Sequence, residues 1–172
     1  MIFMSTEPNI QFCRDHHEHQ ICMATATEKA EQVCESRNQR FTKLRKRIFE
    51  LVWQQHKPIR AYDILDQLQQ DGRAAPPTVY RALDFLIELG LIHRIESMNA
   101  FVGCNNPQQK HEGQFFICND CGAFVELDST SINSAISISA EHSGFEIQQR
   151  TIEITGRCAE CKAKEIANKD LL

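Results

Sequence analysis

Pro76-Pro77-Thr78-Val79-Tyr80-Arg81-Ala82-Leu83-Asp84-Phe85-Leu86-Ile87-Glu88-Leu89-Gly90 decides the fold. Proline has no amide hydrogen and holds φ near the helical value, so Pro76-Pro77 opens a helix where the missing donors cost little. At 3.6 residues per turn, Val79, Leu83, Leu86 and Ile87 form an inward face, while Tyr80, Arg81, Asp84 and Glu88 face out. Gly90 stops the helix at a position that needs a left-handed residue.

Upstream, helical spacing recurs. Ala26, Ala30, Val33 and Cys34 predict a first helix from Thr25 to about Arg37. Thr42 can cap a second, whose apolar face carries Leu44, Ile48, Leu51 and Val52 and which Pro58 helps to end. A third runs from about Ala61 to Gln70, burying Ile64, Leu65 and Leu68, and Asp71-Gly72 closes it. Downstream of Gly90, strands at Leu91–Glu96 and Ala100–Cys104 flank a turn at Ser97-Met98-Asn99. Three helices, a fourth opened by proline and then a hairpin is the order of a winged helix-turn-helix.

Polar Asn105–Lys110 reads as a hinge. Beyond it, strand-like Gln114–Ile117, Phe124–Leu127 and Phe145–Ile154 surround a helix at Ser131–His142, making a small α/β second domain. The expected class is α+β. Residues 1–24, with the cluster Asp15-His16-His17-Glu18-His19, are a flexible N-terminal extension; 25–104 are the winged-helix DNA-binding domain; 105–112 are the hinge; 113–172 are the second, metal-binding domain.

Composition narrows the function. With 172 residues, 42% of them hydrophobic, two small cores are possible. A formal charge of -4 excludes a protein that coats nucleic acid indiscriminately, but not one with a local basic patch. The apolar stretches are too short to span a bilayer, so no membrane partner is expected. No basic region followed by an apolar segment and cleavage site marks secretion. Eight cysteines without such a signal point to the reducing cytoplasm, where paired cysteines hold metal more often than disulfides.

Cys118-Asn119-Asp120-Cys121 and Cys158-Ala159-Glu160-Cys161 are two C-x-x-C knuckles. Each puts two thiolates on one tight turn, and together they complete a tetrahedral four-sulfur site suited to Zn2+. Such a site has no open position for chemistry, so its role is structural. A zinc hydrolase would need an open position and a general base, and His111-Glu112 lacks the second histidine of H-E-x-x-H. No enzyme activity and no small-molecule substrate are expected. Cys13, Cys22 and Cys34 have no partners at ligand spacing and read as ordinary thiols.

The run Pro77–Leu86, then Gly90-Leu91 and the paired knuckles, resembles the ferric uptake regulator family over roughly Thr25–Cys161, and within it the zinc-responsive branch. The resemblance implies a homodimeric repressor that binds palindromic double-stranded operator DNA when its metal is present, with 113–172 as the dimerisation domain. It also implies a regulatory zinc site at His93, Cys104, His111 and Glu126, hence two Zn2+ per protomer. One thiolate, two imidazoles and a carboxylate favour Zn2+ over harder ions. Iron-sensing relatives usually carry a His-rich run before the first knuckle; Gln108–Gly113 holds a single histidine. An iron- or peroxide-responsive repressor is the nearest alternative, and a zinc store or chaperone a more distant one.

For DNA, the fourth helix is expected in the major groove, with Arg81 able to take guanine bidentately. Thr78 opens that helix, Tyr80 can meet a phosphate or a thymine methyl, and Tyr62 matches a family position near bases. Arg37, Arg40, Lys43, Arg45, Lys46, Arg47, Lys57 and Arg60 gather around the second helix as a candidate phosphate surface. Lys43 follows Thr42 where many relatives have proline, and Arg60 stands where a small capping residue is common.

Overall fold

The computed structural model describes residues 16–54, 57–71, 75–108, 113–127 and 129–169. Cys13, Asp15, Gly72 and His111, all singled out above, lie outside them. The N-terminal half is built from α1 (His16–Ser36), α2 (Lys43–Trp53), β1 (Ile59–Arg60), α3 (Ala61–Asp71), α4 (Pro76–Glu88), β2 (Ile92–Ile95) and β3 (Ala100–Gly103). The second half has β4 (Gly113–Cys118), β5 (Phe124–Leu127), α5 (Thr130–His142), β6 (Thr151–Gly156) and α6 (Ala159–Lys169).

Burial follows the predicted faces. Ile48, Leu51 and Val52 of α2, Ile64, Leu65 and Leu68 of α3, and Val79, Leu83 and Leu86 of α4 join Ala26, Ala30 and Val33 of α1 in one core. Ile87 packs at its edge. Thr42 caps α2 by accepting from the Arg45 amide at 3.4 Å. Pro76 begins α4, and Gly90 follows it at φ +69°.

The wing carries a third strand that the sequence did not announce: β1 pairs antiparallel with β3, which pairs antiparallel with β2. The turn between β2 and β3 is a 3-10 turn over Glu96–Met98, with Asn99 left-handed at φ 47°. At Gly103 a Cβ would stand 2.2 Å from Cε2 of Trp53, so only glycine lets that ring lie against β3.

In the second sheet β4 is central, antiparallel to β5 and parallel to β6. Phe115 is opposite Glu126 on β5 and Glu153 on β6, so these three make one row across the sheet. Phe115 and Ile117 pack with Ile95 and Val102 of the wing, with Met98 and Phe124 at the margin. The inner face of the second sheet is therefore sealed onto the wing by apolar contact. On the outer face, Gln114 donates to the Ser129 carbonyl and to Asn133 Oδ1, tying α5 to β4.

Several boundaries differ from expectation. The first helix begins at His16, upstream of Thr25, so residues 16–24 are helical and not irregular. The strand expected over 145–154 is confined to Thr151–Gly156; Phe145 is exposed and unpaired in any sheet. Helix α6 was not anticipated. Among the described residues, no helix is long and apolar enough to cross a membrane.

Candidate metal centres and DNA-facing surface

The two knuckles meet because their strands are neighbours. Cys118 ends β4, and its turn is closed by the Gly122 amide donating to the Cys118 carbonyl at 3.0 Å, with Gly122 at φ +69°. Cys158 follows β6, the parallel partner of β4, and leads into α6. The Asn119 amide donates to the Gly156 carbonyl at 2.8 Å, and Arg157 pairs with Asp120 at 2.6 Å, joining the two turns. The sulfurs of Cys118, Cys121, Cys158 and Cys161 lie within 4.8 Å of one another, with 3.8 Å between Cys121 and Cys158. A tetrahedron with Zn–S bonds of about 2.3 Å has edges of about 3.8 Å, so the donor set fits zinc in size and chemistry.

Four thiols this close cannot ionise independently. Amides of Cys158, Cys121 and Asp120 turned toward the Cys118 sulfur hold that thiol down to about 6. Cys161, hydrogen-bonded to the sulfurs of Cys158, Cys121 and Cys118, is pushed up to about 12. The Cys118 thiolate is favoured and that of Cys161 resisted, an imbalance that a dication bound by all four sulfurs would remove.

A second cluster lies where wing and second sheet touch. His93 comes from β2, Cys104 from the end of β3 and Glu126 from β5; a donor atom of each falls within 4.8 Å of the others. His93 Nε2 is 2.7 Å from Glu126 Oε1, and the other carboxylate oxygen accepts from the Asn105 amide at 2.9 Å. Cys104 is buried, and its amide donates to the Leu91 carbonyl at 3.1 Å, locking the strand end in place. The His93 ring packs on Phe115 at 5.3 Å between centroids. Burial opposes charge on that ring, but hydrogen bonds to Cys104 and Glu126 outweigh it and raise His93 to about 9. A thiol, an imidazole and a carboxylate, facing one another and half withdrawn from water, can hold a divalent cation.

The outward face of α4 is open: Thr78, Tyr80 and Arg81 are exposed, as is Tyr62 at the start of α3. The basic surface beside it is less uniform than its sequence. Lys43 is exposed, whereas Arg45 lies over the Phe85 ring at 3.3 Å and donates to the Arg40 carbonyl at 2.6 Å. Lys46 pairs with Glu31 of α1 at 2.8 Å, and Arg37 donates to the Glu88 carbonyl at the end of α4. Those three cations also brace helices against one another.

Residues 36–155 match the model of the ferric uptake regulator family. The chain belongs to that family. Among ferric uptake regulator relatives, it is 41% identical over 135 residues to the zinc uptake regulation protein of Escherichia coli strain K12, covering 77% of this chain and 79% of that protein. A zinc uptake regulator complexed with zinc and DNA superposes with a TM-score of 0.79 at 38% identity, covering 84% of this chain and 97% of the other. The holo form of XcZur superposes at 0.76 with 39% identity, covering 81% and 98%. Its apo form reaches only 0.50 at 38% identity, covering 83% and 99%.

Proposed function

We infer that the chain is a zinc-responsive transcriptional repressor of zinc-uptake genes, acting in the cytoplasm. It binds palindromic operator DNA as a homodimer when regulatory zinc is present. Zinc at Cys118, Cys121, Cys158 and Cys161 staples the second domain. Zinc held by His93, Cys104 and Glu126, with His111 as fourth ligand, is the signal, giving two ions per protomer.

The observation that carries this is where the second donor set comes from. Its ligands belong to both halves: His93 and Cys104 to the wing, Glu126 to the second sheet. A bound dication would neutralise the carboxylate and a Cys104 thiolate and take the place of the His93 proton. Holding both halves, it selects one setting of α4 from many. The likeness to relatives supports this setting as the zinc-loaded one, since sequence identity to XcZur is about the same in both forms while the superposition is much closer to the holo form.

Dimerisation rests on the outer face of the second sheet. Phe116 and Ile154 are register partners there and both stay 43% exposed; Ile138 of α5 and Phe145 are more exposed still. A second copy would cover them. Exposed Thr78, Tyr80 and Arg81 read bases, Tyr62 approaches them, and Lys43 and Arg45 take phosphates.

Gel shifts on the chain's own upstream region, across buffered free zinc, test the assignment. The wild-type chain shifts the duplex only once zinc rises, and Cys104→Ser needs at least about tenfold more free zinc. Equal binding with and without zinc, or activation by Fe2+ alone, sinks it.

A further inference from the structure

We propose that Glu153 is a positioning residue: a metal-independent pin that fixes the orientation of the wing on the second domain. The proposal rests on the zinc-repressor reading above and adds a residue to it.

The carboxylate of Glu153 on β6 accepts from two backbone amides of the wing turn, Glu96 at 2.7 Å through Oε1 and Ser97 at 3.1 Å through Oε2. These are the first amides of the 3-10 turn, and Ile95 at its cap position offers no side-chain acceptor. The missing cap is supplied from the other half of the molecule. A carboxylate spread over two turn amides makes charge-assisted hydrogen bonds, stronger than neutral ones.

Its place in the sheet gives the contact its meaning. Glu126, Phe115 and Glu153 form the row across β5, β4 and β6. Two strand spacings separate the end members, about 10 Å. On the wing, His93 and Glu96 are three residues apart, also about 10 Å along an extended strand. Thus β2 lies along the row, with His93 over Glu126 at one end and the turn over Glu153 at the other. Phe115 fills the middle. Apolar contact in the seam is non-directional, so a wing with a polar tie only at the His93 end could pivot there, carrying α4 with it. A second attachment about 10 Å away removes the swing. Regulatory zinc closes one end of this mount, and Glu153 holds the other without metal.

Hydrogen exchange on the zinc-loaded full chain reads the pin directly. In Glu153→Ala the amides of Glu96 and Ser97 exchange at least about tenfold faster, while Phe116 and Ile117 in β4 stay protected, showing an intact sheet. Binding at saturating zinc to a duplex selected by the wild-type chain from a random pool weakens about tenfold in Glu153→Ala. It weakens less in Glu153→Gln, which keeps one acceptor oxygen, and zinc per protomer is unchanged in both. Unchanged exchange at Glu96 and Ser97 overturns the proposal; so does faster exchange with undiminished DNA affinity, or loss of zinc from the variants. A wild-type chain without zinc-dependent DNA binding counts against the repressor reading, and the exchange arm then decides whether the pin exists.

Discussion

His93 cannot keep a proton and a metal at the same nitrogen. Burial disfavours charge on the ring, but its hydrogen bonds to Cys104 and Glu126 lift it from 6.5 to about 9. A raised folded value means that the pair stabilises the zinc-free chain fully below about pH 6.5 and loses that stabilisation as pH climbs through about 9. Zinc bound at the proposed site would displace the same proton, so affinity there should rise over that window, by about tenfold per pH unit from His93 alone, and level off above it. Competition against a chelator with known pH dependence checks this; a flat affinity from about pH 7 to 8 contradicts it. In Glu126→Gln the leveling-off moves to lower pH, because the carboxylate that retains the proton is gone. Donor types were legible from sequence: thiol, imidazole and carboxylate at the positions the resemblance supplied. That His93 and Glu126 pair with each other was not, because cross-sheet register leaves no trace in spacing. Lys43 and Arg45 look equivalent in sequence as well. Only packing separates an exposed lysine from an arginine laid over Phe85.

At the scale of elements, α4 was legible because its long periodic face runs from proline to glycine, and the hairpin because Ser97-Met98-Asn99 parts two short apolar runs. Strand β1 is two residues long and lies beside Pro58, too short for any alternation to register. Helix α6, Ala-Glu-Cys-Lys-Ala-Lys-Glu-Ile-Ala-Asn-Lys, carries one large aliphatic residue and no stripe. The stretch from Phe145 reads as strand-like, yet residues 145–150 join neither sheet among the described residues, and pairing, more than composition, makes a strand. The contact of Trp53 with β3 is equally silent in sequence and has a measurable consequence. A methyl at position 103 would meet the indole at 2.2–2.6 Å, and the ring is buried, so it has little room to yield. Gly103→Ala therefore destabilises the chain by about 1–3 kcal/mol, the usual range for overpacking. It also displaces the adjacent Cys104. Denaturant melts should show a lower midpoint at unchanged slope, and zinc-loaded protein should regain less than wild type does. An unaltered midpoint would mean that the ring moves freely, against the packing described.

For the whole molecule, the outer face of the second sheet sets the terms. Phe115 and Ile117 point into the seam with the wing, so Phe116 between them must point away, beside Ile154 on β6. An aromatic and a β-branched side chain paired across strands and left open to water form an attractive surface for an identical one, because two-fold pairing buries both copies at once. In the proposed dimer, two joined protomers would place two α4 helices on one duplex, the second contact being made at the high local concentration set by the first. Phe116→Asp attacks this directly. A carboxylate on an exposed position leaves the inner seam and both donor sets in place, but burying it against its own copy brings two like charges together in an apolar surround. Sedimentation should find the wild-type chain dimeric and the variant monomeric at the same concentration, with bound zinc unchanged by mass spectrometry. Operator affinity should fall by at least about a hundredfold, the scale of lost bivalency, while binding to an isolated half-site stays near wild type. A dimeric Phe116→Asp protein with full operator affinity would place the pairing surface elsewhere and leave Ile138 and Phe145, not the sheet, as the apolar groups to be covered.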